Sequence, residues 1–360
     1  MPKTHSIMIH LRLATTALCG VLVLWGSLAQ AQPVPIHKLR IVGGLDGLNQ
    51  YTRHEEPFWT KELSRLSAGK FSADIVPFNR AGVPGDDMLR LIQLGVVPLG
   101  TAILVLLAAK NPEFSAPDLT GLNPDMASLK TSVAAFRPYL ESTLRKQHGI
   151  EMLALYVYPA QVIFCKKPLA SLADLAGRRV RVGAVTQSDF MATLGAVPVL
   201  TGFAQIMANM ASGNTECAVT GSMSGNTLGL YEVTTHVHTL PLSWGVSVFG
   251  ANLAVWDALP PDLKSLLRQE LPKLETAIWS ESERETADGL ACNRGAADCR
   301  SGRKGRMVEV AVSAQDERRS QEIFTSAVLP NWLQRCGTRC AEVWNQSIGP
   351  VRGIMVPPAK

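Results

Sequence analysis

Short runs of alternating apolar and polar residues are interleaved with runs at helical spacing along most of this chain. Leu39-Arg40-Ile41-Val42 predicts a strand that leads into Gly43-Gly44-Leu45-Asp46-Gly47. Residues 50–68 place Phe58, Leu63 and Leu66 on one helical face, and Gly69-Lys70 closes that segment. Residues 71–76 alternate as a second strand. Gly85-Asp86-Asp87 opens a helix that Gly95 ends, and a buried strand follows from 96. Alternation of this kind predicts parallel β-α-β units. The pattern then repeats, with strands at 153–164, 179–185, 197–200 and 216–220 and helices between them. Residues 239–254 are largely apolar, with Pro241 as a break. Pro260-Pro261-Asp262 opens a long helix to about 290, with Leu263, Leu266, Leu267, Leu271 and Leu274 at helical spacing. Residues 295–306 read as a basic, exposed turn-rich loop, and 321–333 and 341–348 as closing helices.

The first residues change the picture. Lys3 and Arg12 precede an uncharged apolar run over 13–25, and Ala29-Gln30-Ala31 has the form of a cleavage site. Residues 1–31 are therefore expected to be a signal peptide, with the mature chain starting near Gln32 in the periplasm. The alternative, an uncleaved anchor, meets a run shorter than the roughly 20 residues a span needs. The remainder suffices for two domains. The net charge of +5 falls to +3 once Lys3 and Arg12 leave, too mild to indicate nucleic acid and compatible with an anionic ligand.

Seven cysteines become six once Cys19 is removed. Close spacing in an exported chain predicts short disulfides Cys292–Cys299 and Cys336–Cys340. Cys165 and Cys217 fall in apolar strand patterns and are expected as buried thiols, their mutual pairing left open.

Enzyme signatures are weak. Gly221-Ser222-Met223-Ser224-Gly225 puts Met223 where a nucleophile elbow needs serine. The Gly43–Gly47 cluster lacks G-x-G-x-x-G, so no dinucleotide cofactor is expected. His236 and His238 share a strand face without ligating companions, so they are expected as partly exposed polar residues and not as a metal site.

One ordered set of motifs stands out. Asp174-Leu175-Ala176-Gly177-Arg178-Arg179-Val180-Arg181-Val182 is followed by Leu194-Gly195-Ala196-Val197-Pro198-Val199, then Phe203, then Met210-Ala211-Ser212-Gly213. This resembles the DctP-like solute-binding proteins of tripartite ATP-independent periplasmic (TRAP) transporters, more loosely from 39 to about 290. The resemblance implies that Arg181 binds the ligand carboxylate, through the planar fork that a guanidinium offers a carboxylate. It implies that Phe203 packs on the ligand body and Asn49 makes a polar contact; Thr101, at a buried strand end, is a further candidate. Arg178 and Arg179 are expected in solvent. The chain departs from the pattern where Thr220 replaces a ligand-contacting asparagine, and where a second arginine of some members would fall on Ala160 or Gln161. That suggests a ligand with one carboxylate and a less polar remainder, lined by Tyr158, Phe203 and Trp244.

The expected fold is an α/β two-lobed periplasmic-binding-protein (type II-like) architecture. The first lobe is 33–159 plus 246–258. The second is 160–245 plus C-terminal elements at about 313–355. A helix over 260–290 braces both, followed by a disulfide-bearing loop at 292–312. The implied function is capture of a small organic acid by hinge closure and delivery to a TRAP membrane permease, without enzymatic activity, cofactor or metal. The alternatives are a receptor for another importer or a sensor, and a periplasmic enzyme on a binding-protein scaffold.

Overall fold

A computed structural model describes residues 37–357; the expected signal peptide lies outside the described residues. The strands are β1 (His37–Gly43), β2 (Phe71–Pro77), β3 (Leu99–Ile103), β4 (Ile150–Val157), β5 (Gln161–Cys165), β6 (Arg179–Val182), β7 (Val197–Leu200), β8 (Cys217–Gly221), β9 (His236–Ser243), β10 (Val246–Asn252) and β11 (Val308–Val310). They form two sheets, ordered β2-β1-β3-β10-β4 and β11-β9-β5-β8-β6-β7. β1 and β6 pair in parallel with both neighbours, while β5 and β10 run antiparallel to theirs. Burial follows the residue pattern. In β1, Leu39, Ile41 and Gly43 are buried while Arg40 is exposed, and the central strand β3 is buried throughout.

The chain crosses between the sheets twice. Tyr158-Pro159-Ala160 links β4 to β5, and Trp244-Gly245 links β9 to β10. The crossings lie side by side, with the Tyr158 N–H donating to Gly245 O at 3.1 Å. Gly245 has φ +93°, a left-handed conformation that glycine adopts at little cost. Asp118, 2% exposed, fixes this crossing. Its carboxylate accepts the backbone N–H groups of Trp244 (3.0 Å) and Gly245 (2.7 Å), and burial pushes its pKa up to about 7.

The helix Pro261–Arg294 forms the third link. Leu263, Leu267, Leu271, Leu274 and Ile278 pack into the core of the first sheet. Its Trp279 Nε1 donates to Leu155 O, and Ser282 Oγ to Val157 O. Further along it meets the second sheet's Ser222–Leu228 helix, where Ser222 Oγ donates to Thr286 O and Asn293 Nδ2 to Ser222 O. Gly289 makes that crossing close, because a Cβ there would lie 2.3 Å from Met223 N. The helix runs four residues beyond the expected 290 and ends at Gly295, φ +77°. Cys292 thus sits in its last turn and not in the following loop.

The C-terminal helices, expected with the second lobe, grip both. Trp332 Nε1 donates to Pro112 O and Arg352 Nη2 to Leu122 O on the first side. On the second, Asp316 accepts Leu172 N and Asn331 Nδ2 donates to Asp189. Hydrophobic periodicity predicts that these helices form but carries no information on which lobe they cover.

Cys292–Cys299 and Cys336–Cys340 are bonded. So are Cys165 and Cys217, expected as buried thiols with their mutual pairing left open. They stand directly opposite on antiparallel β5 and β8, with Cα atoms 4.1 Å apart, a pairing visible only once the strand register is known. His238 also corrects its expectation of partial exposure. It is fully buried, its Nδ1 accepts Leu240 N, and its Nε2 lies 3.3 Å from Asp316 Oδ2. Burial lowers its pKa, against the opposing pull of Asp316.

Candidate ligand-binding site

A cleft of about 590 Å³ opens between the two sheets, beside the strand crossings. The first sheet's side contributes Leu45, Leu48, Phe78, Ile103, Val105 and Leu106, an almost entirely apolar wall. Its polar members, Asn79 and Asp86, are exposed at the rim. The second sheet's side is polar: Gln161, Arg181, Gln187, Thr220, Ser224 and Ser243.

Arg181 dominates this polar side. It sits toward the C-terminal end of β6, one strand in from the edge strand β7, and only 4% of it is exposed. Its Nε and Nη2 donate to Thr201 O at 3.1 and 2.6 Å, and its Nη1 to Val219 O at 2.7 Å. No carboxylate among the described residues pairs with it; burial alone acts on it and pushes its pKa down to about 10. A guanidinium has five N–H groups. Three are taken by backbone carbonyls, so one remains on each terminal nitrogen. A buried cation without an anion is costly, and two free N–H groups match what a carboxylate accepts. Arg179 is exposed and Arg178 half-buried, and both donate to backbone carbonyls, of Gly213 and of Lys167 and Pro168 respectively.

Phe203, half-buried, Thr220, Gln161 and Tyr158 also line the cleft. Three other candidates do not. Thr101, from the central strand, is fully buried and faces the helical layer, where its Oγ1 donates to Glu55 at 2.9 Å. Glu55 itself has no exposure, and burial raises its pKa. Trp244 is turned into the core by the crossing, its indole N–H donating to Asn123 O at 3.1 Å. Asn49 donates to Glu285 on the long helix and lines a separate small cavity behind Tyr158. Glu285 is 5% exposed and burial pushes its pKa to about 7.

Sequence reading missed Gln187 and Ser243. Gln187 Nε2 donates to Gln161 Oε1 (2.7 Å) and Ser243 Oγ (2.9 Å), and its Oε1 accepts Gly183 N (2.8 Å). The available signal was position: Gln187 follows β6 in the first turns of the Val185–Thr193 helix, which starts at the same sheet edge as Arg181.

Two sheets joined by paired crossings, with a cleft between them that ends on an unpaired cation, define a solute-binding protein in form. The comparisons agree. Residues 49–291, more than half the chain, match the family DctP, bacterial extracellular solute-binding protein, family 7, and the chain belongs to that family. Among solved structures, the fold is similar to DctP7, a Bordetella pertussis extracytoplasmic solute receptor binding pyroglutamic acid. That match has 22% identity and TM-score 0.74, over 87% of this chain and 99% of that one. It is similar to DctP6 of the same organism, also a receptor binding pyroglutamic acid, at 20% identity and TM-score 0.75, over 86% and 98%. A TRAP periplasmic solute-binding protein from Desulfovibrio salexigens with bound orotic acid matches at 18% and 0.75, over 88% and 98%.

Proposed function

We propose that this protein captures a small acid with one carboxylate and a weakly polar body, and delivers it to the membrane permease of a TRAP transporter from the periplasm. The observation that carries this reading is the buried, anion-free guanidinium of Arg181 in the cleft. The acid's carboxylate takes its two free N–H groups. The body lies against Leu45, Leu48, Phe78, Ile103 and Phe203. That wall offers no buried partner for the hydroxyls of a sugar acid, and no second cation lines the cleft for a dicarboxylate. The bound acids of the receptors from Bordetella pertussis and Desulfovibrio salexigens, pyroglutamic and orotic, support a small organic acid here. Lobes at 33–159 plus 246–258 and at 160–245 close on the ligand by bending at 158–160 and 244–245, and contacts from both walls favour the closed form. Binding without turnover is supported by the family, whose members are solute-binding proteins, and by the solute receptors of similar fold.

A thermal-shift screen of monocarboxylates, dicarboxylates and sugar acids tests the ligand class. Monocarboxylates with apolar bodies should raise the melting temperature; stabilisation by sugar acids alone would overturn the reading. N-terminal sequencing of the exported protein should start near Gln32, and a start at Met1 would contradict the periplasmic assignment.

A further inference from the structure

The donor or acceptor sense of the cleft's amides is fixed by the backbone, and it is the same for all of them. A backbone N–H can only donate. Gly183 N donates to Gln187 Oε1, so Gln187 must turn its Nε2 toward Gln161 and Ser243. Gln161 therefore presents its oxygen to Gln187 and keeps its own Nε2–H groups for the cleft. Ser243 Oγ accepts from Gln187, which leaves its O–H to donate. The two amides at the mouth repeat the pattern: Gln205 Oε1 accepts Gly202 N, and Asn79 Oδ1 accepts Asp46 N. The oxygens of all four lining amides are thus engaged, and Gln161 adds free N–H groups to those of Arg181. Beside Arg181, no carboxylate faces the cleft to receive a cationic nitrogen; Asp86 is exposed on the opposite wall.

We propose that this relay makes the polar wall a reader of acceptors. The ligand carries, besides its carboxylate, an oxo or ring-carbonyl oxygen that Gln161 and Ser243 donate to, and the matching amino acid, with an ammonium in that region, is rejected. Gln187 is the positioning residue. This rests on the carboxylate reading of Arg181 and narrows it.

The test is calorimetry with three matched triplets: pyruvate, propanoate and alanine; phenylpyruvate, 3-phenylpropanoate and phenylalanine; 5-oxoproline, cyclopentanecarboxylate and proline. In at least one, the carbonyl-bearing acid should bind about tenfold or more tighter than its parent acid, as expected when a buried donor would otherwise go unpaired. The amino acid should bind more weakly than either. Gln187→Glu keeps an acceptor for Gly183 N but offers a second oxygen to Gln161 and Ser243, so both must turn their donors away from the cleft. The ratio of amino-acid to carbonyl-acid affinity should then rise at least about tenfold. Gln161→Met, at a less buried position, removes one of the two donors and should narrow the gap between carbonyl and parent acids at least about threefold. Parent and carbonyl acids within about threefold in every triplet of the wild type would overturn the inference and leave the carboxylate reading standing. So would an unchanged ratio in a folded Gln187→Glu or Gln161→Met. Binding of no member of any triplet would overturn both.

Discussion

Replacing Arg181 with methionine should separate ligand binding from folding. The guanidinium is 4% exposed and pairs with no carboxylate among the described residues, and burial pushes its pKa down to about 10. That shift corresponds to roughly 3 kcal/mol of unfavourable desolvation, as an order of magnitude. Methionine removes this cost but leaves Thr201 O and Val219 O without the donors they now have, at about 1–3 kcal/mol each. The terms nearly cancel, so the melting temperature of the free protein should move by only a few degrees. Binding has no such offset. A ligand carboxylate enclosed in the cleft would lose its partner, which costs about 2–5 kcal/mol, or roughly 30- to several-thousand-fold in affinity. Arg181→Lys should recover only part, since an ammonium lacks the planar fork. Calorimetry with an acid from the screen, paired with thermal unfolding of the free proteins, reads both quantities. Affinity of Arg181→Met within about threefold of wild type would refute the binding role. A collapse of the free protein would show that the arginine is structural.

Asp118 and Glu285 should each make stability fall as pH rises from about 4 through 7, while the lowered pKa values of His54, His148 and His238 act in the opposite sense. Asp118 and Glu285 have folded pKa values near 7, raised by burial from 3.8 and 4.5. The stability they contribute is fully present below about pH 4 and lost as pH climbs through 7, on the order of a few kcal/mol. Asp118→Asn should flatten the fall in melting temperature over this range, and an unchanged slope would count against it. Gly289→Ala should destabilise by about 1–3 kcal/mol in urea titrations, because the new methyl meets the Met223 backbone at 2.3 Å; helix propensity alone would have it stabilise. Among the three disulfides, replacing Cys165 and Cys217 by alanine should cost most. That bond closes a 52-residue separation, worth about 4 kcal/mol, against about 2 for the short loops. Equal costs for the three would exclude the loop-length account.

Features of the site that were legible in the sequence are those set by local chemistry. In the strand Arg179-Val180-Arg181-Val182 the two valines face one side and the two arginines the other, and the motif resemblance is what marked Arg181 for the ligand. Gly177 and Gly195 mark the turns around it. The long helix was legible because Leu263 to Leu274 repeat at helical spacing after a Pro-Pro start. Illegible features depend on which strands become neighbours. Cys165 meets Cys217 only through the β5–β8 register, and Thr101 looks like a cleft residue until β3 proves central with its side chain turned to Glu55. Gln187 is marked only by its place in the first turns of the helix after β6, and its role comes from a contact with Ser243 across 56 residues.

The central claim is that the ligand's carboxylate sits on Arg181 in the cleft between the sheets. A crystal structure of the protein with the acid that stabilises it most tests this directly. The account predicts both carboxylate oxygens within hydrogen-bonding distance of Arg181 Nη1 and Nη2, with the body against Leu48, Phe78 and Phe203. A carboxylate held elsewhere, with Arg181 still bonded only to Thr201 and Val219, would contradict it.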